Sequence, residues 1–172
     1  MVMSMNIKIR KYRPSDIIAC RSLWAELTQK HRDIYGDQTI GGDNPGNNFD
    51  LYLKKDNLHG PWVATIDGQV IGLTGLLVDG EEADVEPAVV SPPFRNQGIG
   101  TALVKHAIKE AEKLEIRFLS AKPVVRNVEA ISFIIKMGFK ITGQIELFQD
   151  LTKSTERDWK PGIIIHGNKL KY

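Results

Sequence analysis

A chain of 172 residues, 42% hydrophobic and 26% charged, is long enough to bury one sizeable core and is expected to form a single domain over residues 1–172. A formal net charge of +2 without a long basic run argues against nucleic acid as a partner. No apolar run reaches the length of a membrane span or resembles a signal segment, and the lone Cys20 cannot form an internal disulfide; a cytoplasmic protein with no membrane partner is expected.

Residues 7–11 alternate apolar and basic side chains and predict a half-buried strand. Pro14 suits a first helical position and Asp16 puts negative charge in the first turn. Ile17, Cys20, Trp24, Leu27 and His31 then recur at helical spacing, which predicts a helix to about Gln29 with Trp24 in the core. Residues 36–48, rich in Gly, Asp and Asn, read as a loop, and residues 49–55 as a second helix. Strands over 61–66, 69–78 and 82–90, joined at Asp67-Gly68 and Asp79-Gly80, predict an antiparallel meander. Gly72 and Gly75 inside the middle strand imply a bulge or the close approach of another group, and Pro87 implies a bulge or open pairing in the third.

That third strand ends at Pro92-Pro93, and Arg95-Asn96-Gln97-Gly98-Ile99-Gly100 opens a helix over residues 98–114. Ile99, Leu103, Ala107, Ala111 and Leu114 share its apolar face. The first N–H groups of a helix have no internal partner, and glycine lets a ligand approach the backbone. Strand, glycine turn and helix start together read as a seat for phosphate or pyrophosphate. The spacing fits neither the dinucleotide fingerprint nor the P-loop. A strand over 116–121 follows, then a helix over 127–137 closed by Gly138, a strand over 139–151 bent near Gly143, a polar loop over 152–161, and a last strand over 162–166 before a basic tail. Pattern alone supports a mixed α+β domain, with one parallel or splayed pair where a helix connects two strands. Exposed edges near the C-terminus would permit a homodimer.

Val90-x-Pro92-x-x-Arg95-x-x-Gly98-x-Gly100 resembles motif A of the GNAT superfamily of N-acetyltransferases, and Asn127-x-x-Ala130-x-x-Phe133 to Gly138-Phe139 resembles motif B. The resemblance covers roughly residues 61–143 and implies a GNAT-like fold, a mixed, mostly antiparallel, splayed sheet flanked by about four helices. It implies acetyl-CoA as co-substrate, no metal, and a small-molecule or peptide amine as acceptor. By the same resemblance, Arg95, Asn96, Gln97, Gly98, Ile99, Gly100 and Thr101 would hold the pyrophosphate. The backbone of Ala88, Val89 and Val90 would pair with the pantetheine, the N–H of Val90 or a neighbour would face the thioester oxygen, and Asn127 would bond the pantetheine arm. Family members commonly carry a tyrosine general acid four residues before the Gly of Gly-Phe; here that position is Ile134. Acceptor selectivity often sits between the first two helices, which makes Tyr35, Phe49 and Tyr52 candidates to line that pocket; the competing reading is that they simply cover the core.

An attacking ammonium, with a pKa of about 10, must first lose a proton. Glu86 is the candidate base. Without a bulge, the period of two sets it on one face with Asp84, Ala88 and Val90, and two adjacent carboxylates raise each other's pKa. A bulge at Pro87 would shift that facing, and the competing reading is a pair of solvated carboxylates at the start of a strand. His106 is expected on the wet side of its helix, and neither it nor His166 has metal-site spacing. The expected function is direct acetyl transfer from acetyl-CoA to a primary amine in a ternary complex. The missing tyrosine keeps open a non-catalytic CoA-binding regulatory domain, and the glycine turn a nucleotide-binding protein of another class.

Overall fold

The alternating stretches and Asp-Gly turns produce the sheet they promise. The computed structural model describes residues 6–149, 151 and 159–172. In chain order these contain β1 (Ile7–Lys11), α1 (Ile17–Tyr35), α2 (Asn48–Tyr52), β2 (Leu58–Ile66), β3 (Gln69–Asp79), β4 (Glu82–Val90), α3 (Ile99–Lys113), β5 (Phe118–Ser120), α4 (Val128–Lys136), β6 (Pro161–Ile165) and β7 (Asn168–Lys171). The main sheet runs β1-β2-β3-β4-β5. Its first four strands are antiparallel, whereas β5 lies parallel to β4 over only three residue pairs, Glu82–Phe118 to Asp84–Ser120.

Two layers of helix cover this sheet. Cys20 and Leu23 of α1 and Phe49 and Tyr52 of α2 pack on Val63, Leu73 and Val89. On the other face, Ala107 and Ala111 of α3 meet Trp62, Leu76, Ala83 and Val85, while Ile99 and Leu103 meet Ala64 and Ile71. Phe49 and Tyr52 are 0% and 1% exposed, so they are core residues and not pocket walls. Burying each contributes about 1.5–3 kcal/mol. Trp24 rests on both rings, with centroids 5.9 and 5.0 Å away, as its helical position predicts. Burial pushes the Cys20 thiol up to about 12.

Several boundaries differ from the sequence expectation, β2 among them, which starts at Leu58 and not at residue 61. α1 continues to Tyr35, past Gln29; Gly36 in the left-handed region ends it, its N–H bonded to the Arg32 carbonyl. α2 stops at Tyr52 and β5 shrinks to three residues. Residues 139–149 form no strand. Phe139 packs on the α3-side core, but Ile141, Ile145 and Leu147 are exposed, and among the described residues no strand pairs with this stretch. The basic tail pairs with β6 as β7, making a separate two-stranded sheet. Most of the expected 152–161 loop lies outside the described residues.

One buried charge ties β1 to the start of α1. Asp16, 6% exposed, accepts two hydrogen bonds from Arg10 at 2.7 and 2.9 Å and one from the Arg13 N–H at 2.8 Å. The Arg10 bonds outweigh burial and hold the carboxyl below the usual range. A depressed carboxylate stabilises the fold above its unfolded pKa of about 3.9, and loses that contribution as pH falls through the lower folded value. Asp16→Asn should therefore cost about 2–3 kcal/mol in urea unfolding at neutral pH. The gap from the unmodified chain should close between about pH 5 and pH 2.

Candidate active site

β4 carries the expected bulge, and the bulge decides which way the site faces. Thr74 pairs with Ala88 and Leu76 with Val85, so Glu86 and Pro87 together oppose Gly75 alone. Packing shows the consequence: Val85 lies under α3, whereas Val89 lies under α1 and Val90 under α3. The even-numbered residues therefore change sides within the strand. Glu86 does not share a face with Ala88 and Val90, as an unbroken period of two would require.

Tyr52 anchors the bulge. Its hydroxyl donates to the Glu86 backbone carbonyl. The phenol passes over Gly75, where an added Cβ would collide with the hydroxyl and lie 3.3 Å from the same carbonyl. This is the close approach that a glycine inside β3 signals, and Gly72 has a similar cause in Leu103 and the Val89 carbonyl. Burial raises the Tyr52 phenol well above its ordinary pKa, so it serves here as a neutral donor.

Asp84 and Glu86 each face a lysine. Lys122 Nζ stands 2.6 Å from Asp84, and the Ser120 hydroxyl also donates to that carboxylate. Burial lifts the Asp84 carboxyl, but these two donors outweigh it and hold it below the usual range. The expectation that the paired carboxylates raise each other fails at Asp84 for this reason. Glu86, with its side chain 45% exposed, has Lys55 Nζ at 3.6 Å as its ion-pair partner among the described residues. No sequence spacing pointed to Lys55 or Lys122; β5 and the end of α2 bring them to the strand.

On its β5 side, β4 has no strand partner beyond Asp84 among the described residues. The Ser91 N–H bonds to the Ile71 carbonyl opposite it at 2.9 Å. Alternation along an antiparallel pair then makes Val89–Leu73 the next bonded pair. The backbone groups of Ala88 and Val90 consequently turn away from β3 toward the gap, and those of Val89 do not. Arg95 confirms the direction, because its Nε donates to the Val90 carbonyl at 2.9 Å. The guanidinium is thereby folded back along the edge of β4.

Beyond Arg95 the chain turns through Asn96, with φ 61°, and Gly98, with φ 81°, before α3 begins. The first bond of the helix runs from the Ala102 N–H to the Gly98 carbonyl at 2.9 Å. The N–H groups of Asn96, Gln97, Gly98, Ile99, Gly100 and Thr101 have no acceptor among the described residues. The helix dipole adds partial positive charge at this point.

α4 closes the other side. Asn127 caps it, its Oδ1 accepting the Ala130 N–H at 3.2 Å, which leaves the side-chain amide donors for another acceptor. The Phe133 ring stands over Gly100, 3.5 Å from where a Cβ would be, and so brings motif B against motif A. Lys30 of α1 reaches Glu129 in the first turn of α4 at 2.5 Å. Ile134 is 9% exposed and offers no proton. The Tyr35 ring lies 4.8 Å from the guanidinium of Arg126, the residue before Asn127.

His106 is not the solvated residue its helix position suggested. Its ring is edge-on to Trp62 at 5.0 Å with Nε2 buried, and burial lowers its pKa. His166 sits exposed in the β6–β7 turn.

A sheet whose fourth strand is bulged and splayed from the fifth, with free helix-start amides at the end of the gap, defines an acyl-CoA N-acyltransferase type of α+β fold. Residues 22–139 match the Acetyltransferase (GNAT) family, and the chain belongs to it. Peptidyl-lysine N-acetyltransferase YjaB of Salmonella typhimurium is 38% identical over 93 residues, which cover 54% of this chain and 57% of that protein. The chain spans about half the length of the first curated relatives it matches. Two solved structures share the fold. Aminoglycoside N-acetyltransferase AAC(6')-Iy in complex with CoA has a TM-score of 0.66 at 17% identity, covering 88% of this chain and 99% of that one. An acetyltransferase of the GNAT family from Staphylococcus aureus has a TM-score of 0.66 at 19% identity, covering 88% and 95%.

Proposed function

We propose that the chain is an N-acetyltransferase that moves an acetyl group from acetyl-CoA directly to a primary amine, with residues 1–172 acting as one domain. The carrying observation is the unpaired edge of β4. The outward backbone of Ala88 and Val90 leads along that edge to the free amides of residues 96–101. This set fits acetyl-CoA: Ala88 and Val90 offer strand-like bonds to the pantetheine amides, and the helix-start amides with Arg95 hold the pyrophosphate. Val89, whose backbone is committed to β3, contributes packing only. The Asn127 amide bonds the pantetheine arm, and a neighbouring β4 N–H on the Glu86 side of Val90 donates to the thioester oxygen. Acetyl-CoA supplies an activated acetyl group.

Glu86 takes the ammonium proton, directly or through water, while Asp84 stays committed to Lys122. The missing tyrosine is tolerable. A thiol of pKa about 8.5 leaving as thiolate at pH 7 is disfavoured by about 2 kcal/mol relative to protonated product, which local dipoles can offset in part. The acceptor is read as a cationic amine, a lysine side chain of a peptide among the candidates. Two lysine ammoniums already sit against the β4 carboxylates, and the name of the Salmonella relative states that acceptor for that protein.

A thermal-shift panel tests the first half, with acetyl-CoA and CoA expected to raise Tm by several degrees and ATP or NAD to leave it unchanged. An amine screen that follows free thiol tests the second. Stabilisation without turnover of any amine would favour the non-catalytic CoA-binding reading that the buried Ile134 permits.

A further inference from the structure

Any acceptor must bring an amine to Glu86, and one amine is already there. Lys55 follows α2, whose Tyr52 holds the Glu86 carbonyl, so one short segment fixes both the backbone of the base and the lysine beside it. Lys55 Nζ is 3.6 Å from Glu86 Oε1 and 5.8 Å from the centre of the Tyr52 ring. The contact is longer than a hydrogen bond, and the Lys55 side chain is 43% exposed, so the ammonium is beside the carboxylate without being locked to it. Lys122 differs, because a charge-assisted bond of 2.6 Å commits it to Asp84.

We propose that Lys55 is an acceptor within the chain itself: the protein acetylates its own Lys55 Nζ, with Glu86 as the base. The inference rests on the acetyltransferase reading above. One proton leaves the Lys55 ammonium for Glu86, and the freed lone pair forms the new N–C bond to the acetyl carbon. The C–S bond breaks as the thiolate departs and is protonated to free CoA. A second proton passes from the nitrogen to solvent, leaving a neutral acetyl-lysine. Nothing is oxidised or reduced, and the thioester is the only co-reactant.

The test is peptide mass spectrometry of the purified chain incubated with acetyl-CoA at pH 7.5, following acetyl occupancy at each lysine over time. Lys54, adjacent and exposed, is the internal control for uncatalysed acetylation. Lys55 is expected to label about tenfold faster than Lys54, and Glu86→Gln to remove most of that advantage. The half-time should be unchanged when the protein is diluted tenfold, because the transfer is internal. Equal labelling of Lys55 and Lys54 in the unmodified chain, or a half-time that lengthens with dilution, overturns the proposal, and so does a Lys55 advantage that survives in Glu86→Gln. If such a preparation still acetylates an amine in solution, only the Lys55 assignment falls. If it acetylates neither, the transferase reading falls with it.

Discussion

Glu86→Gln is expected to lower kcat toward a primary amine by about a hundredfold or more at pH 7, and by progressively less as pH rises. The substitution keeps the size of the side chain and leaves untouched the backbone carbonyl that Tyr52 holds, so the bulge should survive. It removes only the ability to accept a proton. At pH 7 about one molecule in a thousand of an amine with pKa 10 is free base. An enzyme that deprotonates the bound ammonium escapes this limit, and the variant does not. By about pH 9.5 roughly a quarter of the amine is already neutral, and the two profiles should converge. Stabilisation by acetyl-CoA should remain in the variant, because the helix-start amides lie elsewhere on the chain. A deficit that is the same at every pH would remove Glu86 as base. Asp84→Asn should give no such convergence, since hydrogen bonds from Lys122 and Ser120 already occupy that carboxylate.

What sequence made legible was whatever depends on neighbours in the chain. β1 and β4 have the boundaries that alternation and the Asp-Gly turns specify, and the opening of α3 falls where motif A places it. The bulge at Pro87 was legible because proline cannot donate to the ladder. That such a bulge would shift the facing of Glu86 was legible too, but not where the β3–β4 register slips, at Gly75. The partners of the carboxylates were hidden for a similar reason. Lys55 and Lys122 reach Glu86 and Asp84 across 31 and 38 positions of sequence, and no local pattern encodes either pairing. The choice between pocket and core stayed open at Tyr52 because an aromatic residue near an expected pocket looks the same in sequence whether it lines the pocket or fills the core. The stretch 139–149 shows the limit of periodicity, which reports propensity while a strand requires a bonded partner, and none is found there among the described residues.

The second large effect concerns what holds the bulge in place. Gly75→Ala should destabilise the fold by about 1–3 kcal/mol, because the new methyl collides with the Tyr52 hydroxyl and crowds the Glu86 carbonyl. Neither neighbour can yield cheaply. The carbonyl belongs to the sheet, and the Tyr52 ring is pinned between Trp24 and Phe49 with centroids 5.0 and 6.1 Å away. Tyr52→Phe alone should cost about 1–3 kcal/mol, the penalty for leaving a part-buried carbonyl without its donor. The two losses should not add. With the hydroxyl gone, the alanine methyl would sit 3.4 Å from the ring carbon that had carried it, an ordinary contact. The double variant should therefore be more stable than the sum of the single changes predicts, by about 1 kcal/mol or more in urea unfolding. Gly75→Ala should also lower kcat, because pushing the phenol aside releases the backbone of the residue proposed as base, and Tyr52→Phe should share that loss. Strict additivity in stability would mean that Tyr52 and Gly75 act independently and that the hydroxyl does not fix the bulge.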